Sequence, residues 1–267
     1  MPADVTGRAP RGGVGGRASV PRTVVATISA VAAIAGMVAT PLAARGSDDR
    51  AVLAWAVVLG LFGGSFAAAA GLCGWRRASG AAAAVLAATV VVEAVGTRTG
   101  VPFGHYDYTG ALGPRVARVP VLVPFAWFAM ALPAREVAVA VLGAGGRPWR
   151  RIALGAVALT AWDLFLDPQM VGEGYWTWPA GGAYRGIPLG NYAGWLLTSA
   201  AVMLLLERLL PPRRASRAAV AQYAAVAAMQ TVGFAAFFGD AVVAIAGGAA
   251  MLPIAVLAVV RVRRTPR

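Results

Sequence analysis

Apolar residues recur along the chain in blocks near the length that crosses a bilayer, separated by short stretches rich in arginine, glycine or proline. The blocks occupy about residues 24–44, 51–72, 80–97, 119–143, 152–167, 188–210, 218–239 and 241–260. A hydrocarbon core about 30 Å thick needs roughly 20 predominantly apolar residues in a helix to span it. The pattern therefore predicts an all-α, polytopic integral membrane helical bundle with about eight transmembrane helices. Seven is the fallback count, because the fifth block is short and "PAREV" at 133–137 interrupts the fourth. No repeat of fixed period and no inverted resemblance between the halves is visible, so the spans form one domain.

Three regions follow from this division. Residues 1–22, "MPADVTGRAPRGGVGGRASVPR", are expected to be a disordered Arg/Gly-rich cytoplasmic tail, held to the membrane surface by charge at most. Residues 23–261 make the single transmembrane helical domain, and 262–267 a basic cytoplasmic tail. The first apolar run is longer than a signal-peptide core, although "PLAAR" imitates a cleavage site, and it is read as a retained span.

Composition agrees with this reading: 59% of residues are hydrophobic, 13% are charged and the mean hydropathy is +0.68. The net charge of +13 changes the picture only through its distribution. With the N-terminus placed inside, 17 of the 24 basic residues fall on the inner side, six on the outer side, and Arg135 within the fourth block. That bias is the positive-inside rule, and it puts both termini in the cytoplasm of a cell-membrane protein. No soluble basic domain exists to bind nucleic acid. One cysteine, Cys73, excludes an internal disulfide and a multi-cysteine metal site; one histidine excludes a His-rich di-iron set; no nucleotide-binding glycine motif is present.

Two outer loops concentrate what the spans lack: "EAVGTRTGVPFGHYDYTGALGPR" (93–115) and "DPQMVGEGYWTWPAGGAYRGIPLGNYAGW" (167–195). They hold His105, Asp107, Glu173, Tyr106, Tyr108, Tyr175, Tyr184, Tyr192, Trp176, Trp178 and Trp195. An interfacial aromatic belt accounts for any one of these rings. The dense glycines and prolines specify turns, so the loops are expected to adopt a shape.

Four acids, Glu93, Asp163, Asp167 and Asp240, map to the same outer leaflet. An ionisable group at bilayer depth is costly and points to function, unless it pairs with a cation such as Arg98 or Arg185, or ends a helix, as Asp167 would before Pro168. In "WDLFLDP" (162–168), Asp163 and Asp167 are four apart and share one helix face. Two carboxyls in a poorly hydrated site cannot both ionise cheaply, so one is held protonated beside the other. A neutral acid near a base suits proton transfer to a nonpolar substrate, and aromatic faces shelter a developing carbocation. Acid plus aromatics suggests alkene protonation.

The ordered series Glu93-x-x-Gly96, Thr99-Gly100, Phe103-Gly104-x-Tyr106-x-Tyr108, Val119-Pro120, Trp127, Asp163-x-x-x-Asp167-Pro168, Gly174-x-Trp176-x-Trp178 and Tyr184-x-Gly186-x-Pro188-x-x-Asn191-x-x-Gly194-Trp195 resembles the membrane-embedded carotenoid hydratases of the CruF type. These include the bisanhydrobacterioruberin hydratases and the gamma-carotene 1'-hydratases. The match covers about residues 80–210. The resemblance implies addition of water across the terminal double bond of an acyclic carotenoid, drawn from the bilayer, without a cofactor or metal.

Residue roles come from the chemistry. Asp163 or Asp167 is the expected acid, and Glu93 or His105 the group that accepts a proton from water. Phe103, Tyr106, Tyr108, Trp176, Trp178, Tyr184 and Trp195 are expected to wall the substrate site, with Asn191 orienting the water. The competing classes are a carotenoid- or lipid-modifying cyclase or isomerase, and a transporter or lipid-binding protein; nothing indicates an oligomeric state. The arginine asymmetry yields a topology prediction: a reporter fused after Arg267 should be cytoplasmic and one inserted in the 97–118 loop extracytoplasmic. Both reporters on one side would overturn the eight-span reading.

Overall fold

The computed structural model describes residues 22–211 and 214–264; the predicted tail up to residue 21 and the last three residues of the basic C-terminal tail lie outside them. Among the described residues there are eight α-helices: α1 Arg22–Ala39, α2 Asp48–Cys73, α3 Trp75–Thr99, α4 Leu122–Leu142, α5 Pro148–Gly172, α6 Leu189–Leu209, α7 Arg217–Val232 and α8 Ala241–Arg264. A π-helical turn, Gly233–Phe237, prolongs α7. Four two-residue strands lie in the connections: β1 Asp107–Tyr108 pairs antiparallel with β4 Trp176–Thr177, and β2 Arg115–Val116 with β3 Val119–Pro120.

Seven of the helices are long and apolar enough to cross a membrane. The exception is α5, which has the length but carries Arg150, Arg151, Asp163 and Asp167. Its neighbours α4, α6 and α8 cover it, so Arg151, Asp163 and Asp167 face protein, while Arg150 in the first turn is exposed. The chain is an all-α multi-pass bundle.

The connections sort to two ends. At one end Arg50, in the first turn of α2, pairs with Glu173 after α5; β1, between α3 and α4, pairs with β4, between α5 and α6; and Arg185 pairs with Asp240, between α7 and α8, at 2.6 Å. At the other end Arg135 pairs with Glu136, lies 3.7 Å from Glu207 and donates to the Leu210 carbonyl. There Arg151 pairs with Glu207 and donates to the Ala144 carbonyl at 2.9 Å, while Glu136 accepts the Ser216 N–H at 2.8 Å. "PAREV" therefore does not break the fourth block: α4 runs through it, and its two charges are buried and paired.

Three helices contain an internal proline, Pro133 in α4, Pro168 in α5 and Pro253 in α8, and at the first two the carbonyl it orphans is taken by side chains from elsewhere. A helical proline removes the N–H that would bond the carbonyl four residues earlier. For Pro133 that carbonyl is Ala129, which accepts from Ser65 Oγ at 2.7 Å and Gln222 Nε2 at 2.9 Å, side chains of α2 and α7. For Pro168 it is Leu164, which accepts from Tyr184 Oη at 3.0 Å. The expected stop before Pro168 is thus corrected: α5 continues to Gly172, and Asp167 lies inside the helix and not at its end.

Tyr184→Phe should leave the Leu164 carbonyl without this donor and cost about 1–3 kcal/mol of stability. In a Pro168→Ala background the restored backbone N–H takes the carbonyl, and Tyr184→Phe should be nearly silent. Thermal unfolding of the four proteins in detergent checks the coupling; equal losses in both backgrounds would refute it.

Candidate active site

Glu93 lies near the end of α3 and is 4% exposed. Its Oε2 accepts from Tyr106 Oη at 2.5 Å and Tyr108 Oη at 2.8 Å, and its Oε1 from Trp127 Nε1 at 2.9 Å. Gly96, one turn on, makes this possible: a Cβ there would stand 3.0 Å from Tyr106 Oη and 3.1 Å from the Phe103 ring. Burial, and after it the neighbouring Glu93 carboxyl, pushes the Tyr106 and Tyr108 phenols above the ordinary tyrosine range, so both remain protonated donors. No cation takes part, for Arg98 donates instead to the Ala94 carbonyl at 2.7 Å.

Asp163 and Asp167 are 0% and 2% exposed on the inner face of α5. Asn191 Nδ2 donates to both, at 3.2 Å to Asp163 Oδ2 and 2.5 Å to Asp167 Oδ2, and Trp176 Nε1 donates to Asp167 Oδ1 at 3.1 Å. Among the described residues, Asp163 Oδ1 and Asn191 Oδ1 are buried with no hydrogen-bond partner. Asn191 stands in the first turn of α6. Gly194 seats that turn on the 100–104 segment, since a Cβ there would lie 2.3 Å from the Pro102 carbonyl oxygen.

Aromatic rings enclose these groups. Trp127 and Trp195 stack with centroids 4.1 Å apart, and Trp162 meets Trp195 edge-on at 6.2 Å. The β1–β4 pairing sets Tyr108 opposite Trp176, with rings edge-to-face at 5.5 Å, and Trp178 Nε1 donates to the Phe103 carbonyl at 3.0 Å. Together they wall a cavity of about 410 Å³. It extends past Arg50 and Glu173 to Val38, Val232 and Phe237, apolar side chains more than half exposed on the lipid-facing surface.

Of the residues picked from the sequence, Glu93, Asp167, Phe103, Tyr106, Tyr108, Trp176, Trp178, Asn191 and Trp195 line this cavity. Asp163 is behind Asp167, outside the lining, and Tyr184 is committed to the Leu164 carbonyl. His105 is not brought to the cavity: it is exposed, its ring packed over Gly100. Asp240 is the ion pair with Arg185 that the sequence offered as one alternative. Trp127, Trp162 and the Arg50–Glu173 pair were not picked as site residues. Trp127 stood in the motif series but inside a block read as span, and Trp162 directly precedes Asp163. The carboxyls do not converge into a set of three or more groups that could hold a metal ion among the described residues.

A family model described as "Carotenoid biosynthesis protein" matches residues 53–262. The bisanhydrobacterioruberin hydratase of Haloarcula japonica is 36% identical over 135 residues, covering 49% of this chain and 45% of the relative, so the similarity spans less than half of that protein's length. No solved structure matches.

Proposed function

The chain belongs to the carotenoid biosynthesis protein family, and we propose that it adds water across the terminal carbon–carbon double bond of an acyclic carotenoid end group, leaving a tertiary alcohol at carbon 1. The observation that carries this reading is one aromatic cavity containing Asp167, backed by Asp163, together with Glu93, all three held by neutral donors and none by a cation. A carboxylate fixed by arginine is a poor proton donor, whereas acids held by phenol, indole and amide N–H groups can exchange protons with a substrate. The hydratase name of the Haloarcula japonica relative supports the same reaction.

In this mechanism the aspartate pair shares one proton, and Asp167, the member in the cavity, delivers it to carbon 2 of the terminal alkene. The electron pair of the double bond forms the new C–H bond and leaves a tertiary cation at carbon 1. The faces of Trp127, Trp195 and Trp162 stabilise that cation; such contacts are worth about 0.5–2 kcal/mol each. Water, oriented by Asn191, attacks carbon 1, and Glu93 takes the proton it loses. Proton return from Glu93 to the aspartates through cavity water resets the site, so the net change is one water added. No cofactor enters any step. The cavity would lie near the extracytoplasmic leaflet, with the polyene reaching it from the bilayer.

Two experiments test this. Membranes containing the protein, supplied with an acyclic carotenoid and a chelator but no nucleotide or flavin, should yield a product heavier by one water, with its oxygen labelled from H₂¹⁸O. Oxygen derived from dioxygen would refute the reading, and an isomerised product of unchanged mass would favour a cyclase or isomerase. In the second, Asp167→Asn and Asp163→Asn should each lower turnover by about 10²–10⁴-fold at normal abundance, the range of general acid catalysis. Glu136→Gln, which breaks the buried pair with Arg135 at the other end of the bundle, should reduce expression or stability before turnover. If both aspartate variants hydrate at near-normal rates, the acid lies elsewhere.

A further inference from the structure

Two glutamines face the cavity, and the reaction above uses neither. Gln169 on α5 and Gln230 on α7 both line it, and Gln230 Nε2 donates to Gln169 Oε1 at 3.0 Å. That bond uses half of the pair. Gln169 Nε2, a donor, and Gln230 Oε1, an acceptor, have no hydrogen-bond partner among the described residues. A strut between helices needs no such remainder: Tyr223, earlier on α7, spends its one hydroxyl proton on the Ala158 carbonyl of α5 at 2.8 Å. Unmet amide donors and acceptors at bilayer depth are costly, and a small molecule that both donates and accepts removes the cost at both atoms.

The place of the pair along α5 fits a route for water. Glu173, at the end of the bundle where β1 and β4 pair, has its Oε2 buried with no donor among the described residues. Gln169 lies about 6 Å inward along the helix axis, and Asp167 about 3 Å beyond that. Asn191 Oδ1, on the amide that holds both aspartates, is again a buried acceptor with no donor among the described residues. Open polar atoms thus mark the wall from Glu173 to the acids, while Leu166, Met170 and Met229 beside them are apolar. Water matches the central pair: it accepts from the Gln169 N–H, donates to Gln230 Oε1 and keeps a second O–H to hand on. We propose that the Gln169–Gln230 pair is a water-binding site that admits the water consumed in the reaction and holds it one step from Asn191, so that the cation at carbon 1 is captured before it gives its proton back. This rests on the hydratase reading and deepens it: the two glutamines position water and take no part in protonating the alkene.

The first test reads how the cation is partitioned. In D₂O, Asp167 adds a deuteron to carbon 2. Water then gives the alcohol, or carbon 2 returns a proton to the carboxylate and the double bond re-forms carrying deuterium. Gln169→Leu combined with Gln230→Leu removes both amides and leaves neither orphaned. This double variant should lower the ratio of alcohol to deuterated alkene about tenfold, the scale of the hydrogen bonds lost, while the sum of the two products falls by no more than about threefold. An unchanged ratio would overturn the proposal and leave the hydratase reading standing. Neither product from the wild-type protein would refute the hydratase reading and the destination of the water, though not the water site, which a second test reads without any variant or polyene. Brief X-ray radiolysis of the wild-type protein in nanodiscs oxidises side chains beside bound water. It should label Met170 and Met229, which adjoin the two glutamines in sequence and line the cavity, and spare the fully buried Met130 and Met251. Met170 and Met229 as unreactive as that buried pair would overturn the water site whatever the double variant does.

Discussion

Burial of carboxyl groups in an apolar bundle is the constraint on which the rest of this structure depends. A polar side chain withdrawn from water must find its partners inside the protein, and the molecule meets that demand in two ways. Glu136, Glu173, Glu207 and Asp240 are paired with arginines at one or the other end of the bundle. Glu93, Asp163 and Asp167 have phenol, indole and amide donors instead. The first kind holds helices in place. The second kind leaves acids at or behind an aromatic chamber with no charged partner, and under the proposed function that division separates scaffold from site.

Helix continuity serves the same end. Both α4 and α5 carry internal prolines, and in each the orphaned carbonyl is taken by side chains from other elements. For α5 the consequence is positional. Because Tyr184 supports the turn before Pro168, Asp167 stays helical beside Asp163 and both reach the single Asn191 amide. A loop residue far along the chain thereby fixes the register of the acid pair without lining the cavity itself.

Much of this was legible in the sequence for reasons that are local. Span length and the four-residue spacing of the aspartates are properties of contiguous residues, and the eight helices and the shared face follow from them. What depended on distant partners was not legible. The β1–β4 pairing that sets Tyr108 against Trp176, the Trp127 donor to Glu93, and the Arg50–Glu173 pair join residues well separated along the chain. The helix stop at Pro168 was misjudged for the same reason, since local rules do not see the Tyr184 hydroxyl. His105 was chosen because a lone histidine invites chemistry, but the turn that packs it over Gly100 leaves it facing out.

The helix least suited to lipid is therefore the one that carries the acids, and this follows from the constraint itself. A helix bearing Asp163 and Asp167 gains little from facing hydrocarbon, and α5 is accordingly the one helix without a span-like composition among those described. Its stability in the membrane has to come from neighbours: α4, the most buried of the candidate spans, with α6 and α8. The peripheral helix α1, which packs mainly on α2 and is barely buried, contributes Val38 to the apolar edge of the cavity, across from Val232 and Phe237 beside the π-helical turn. The buried aspartates are thus enclosed by well-covered helices, while the chamber opens through the least covered ones, the side from which the proposed function has its polyene enter.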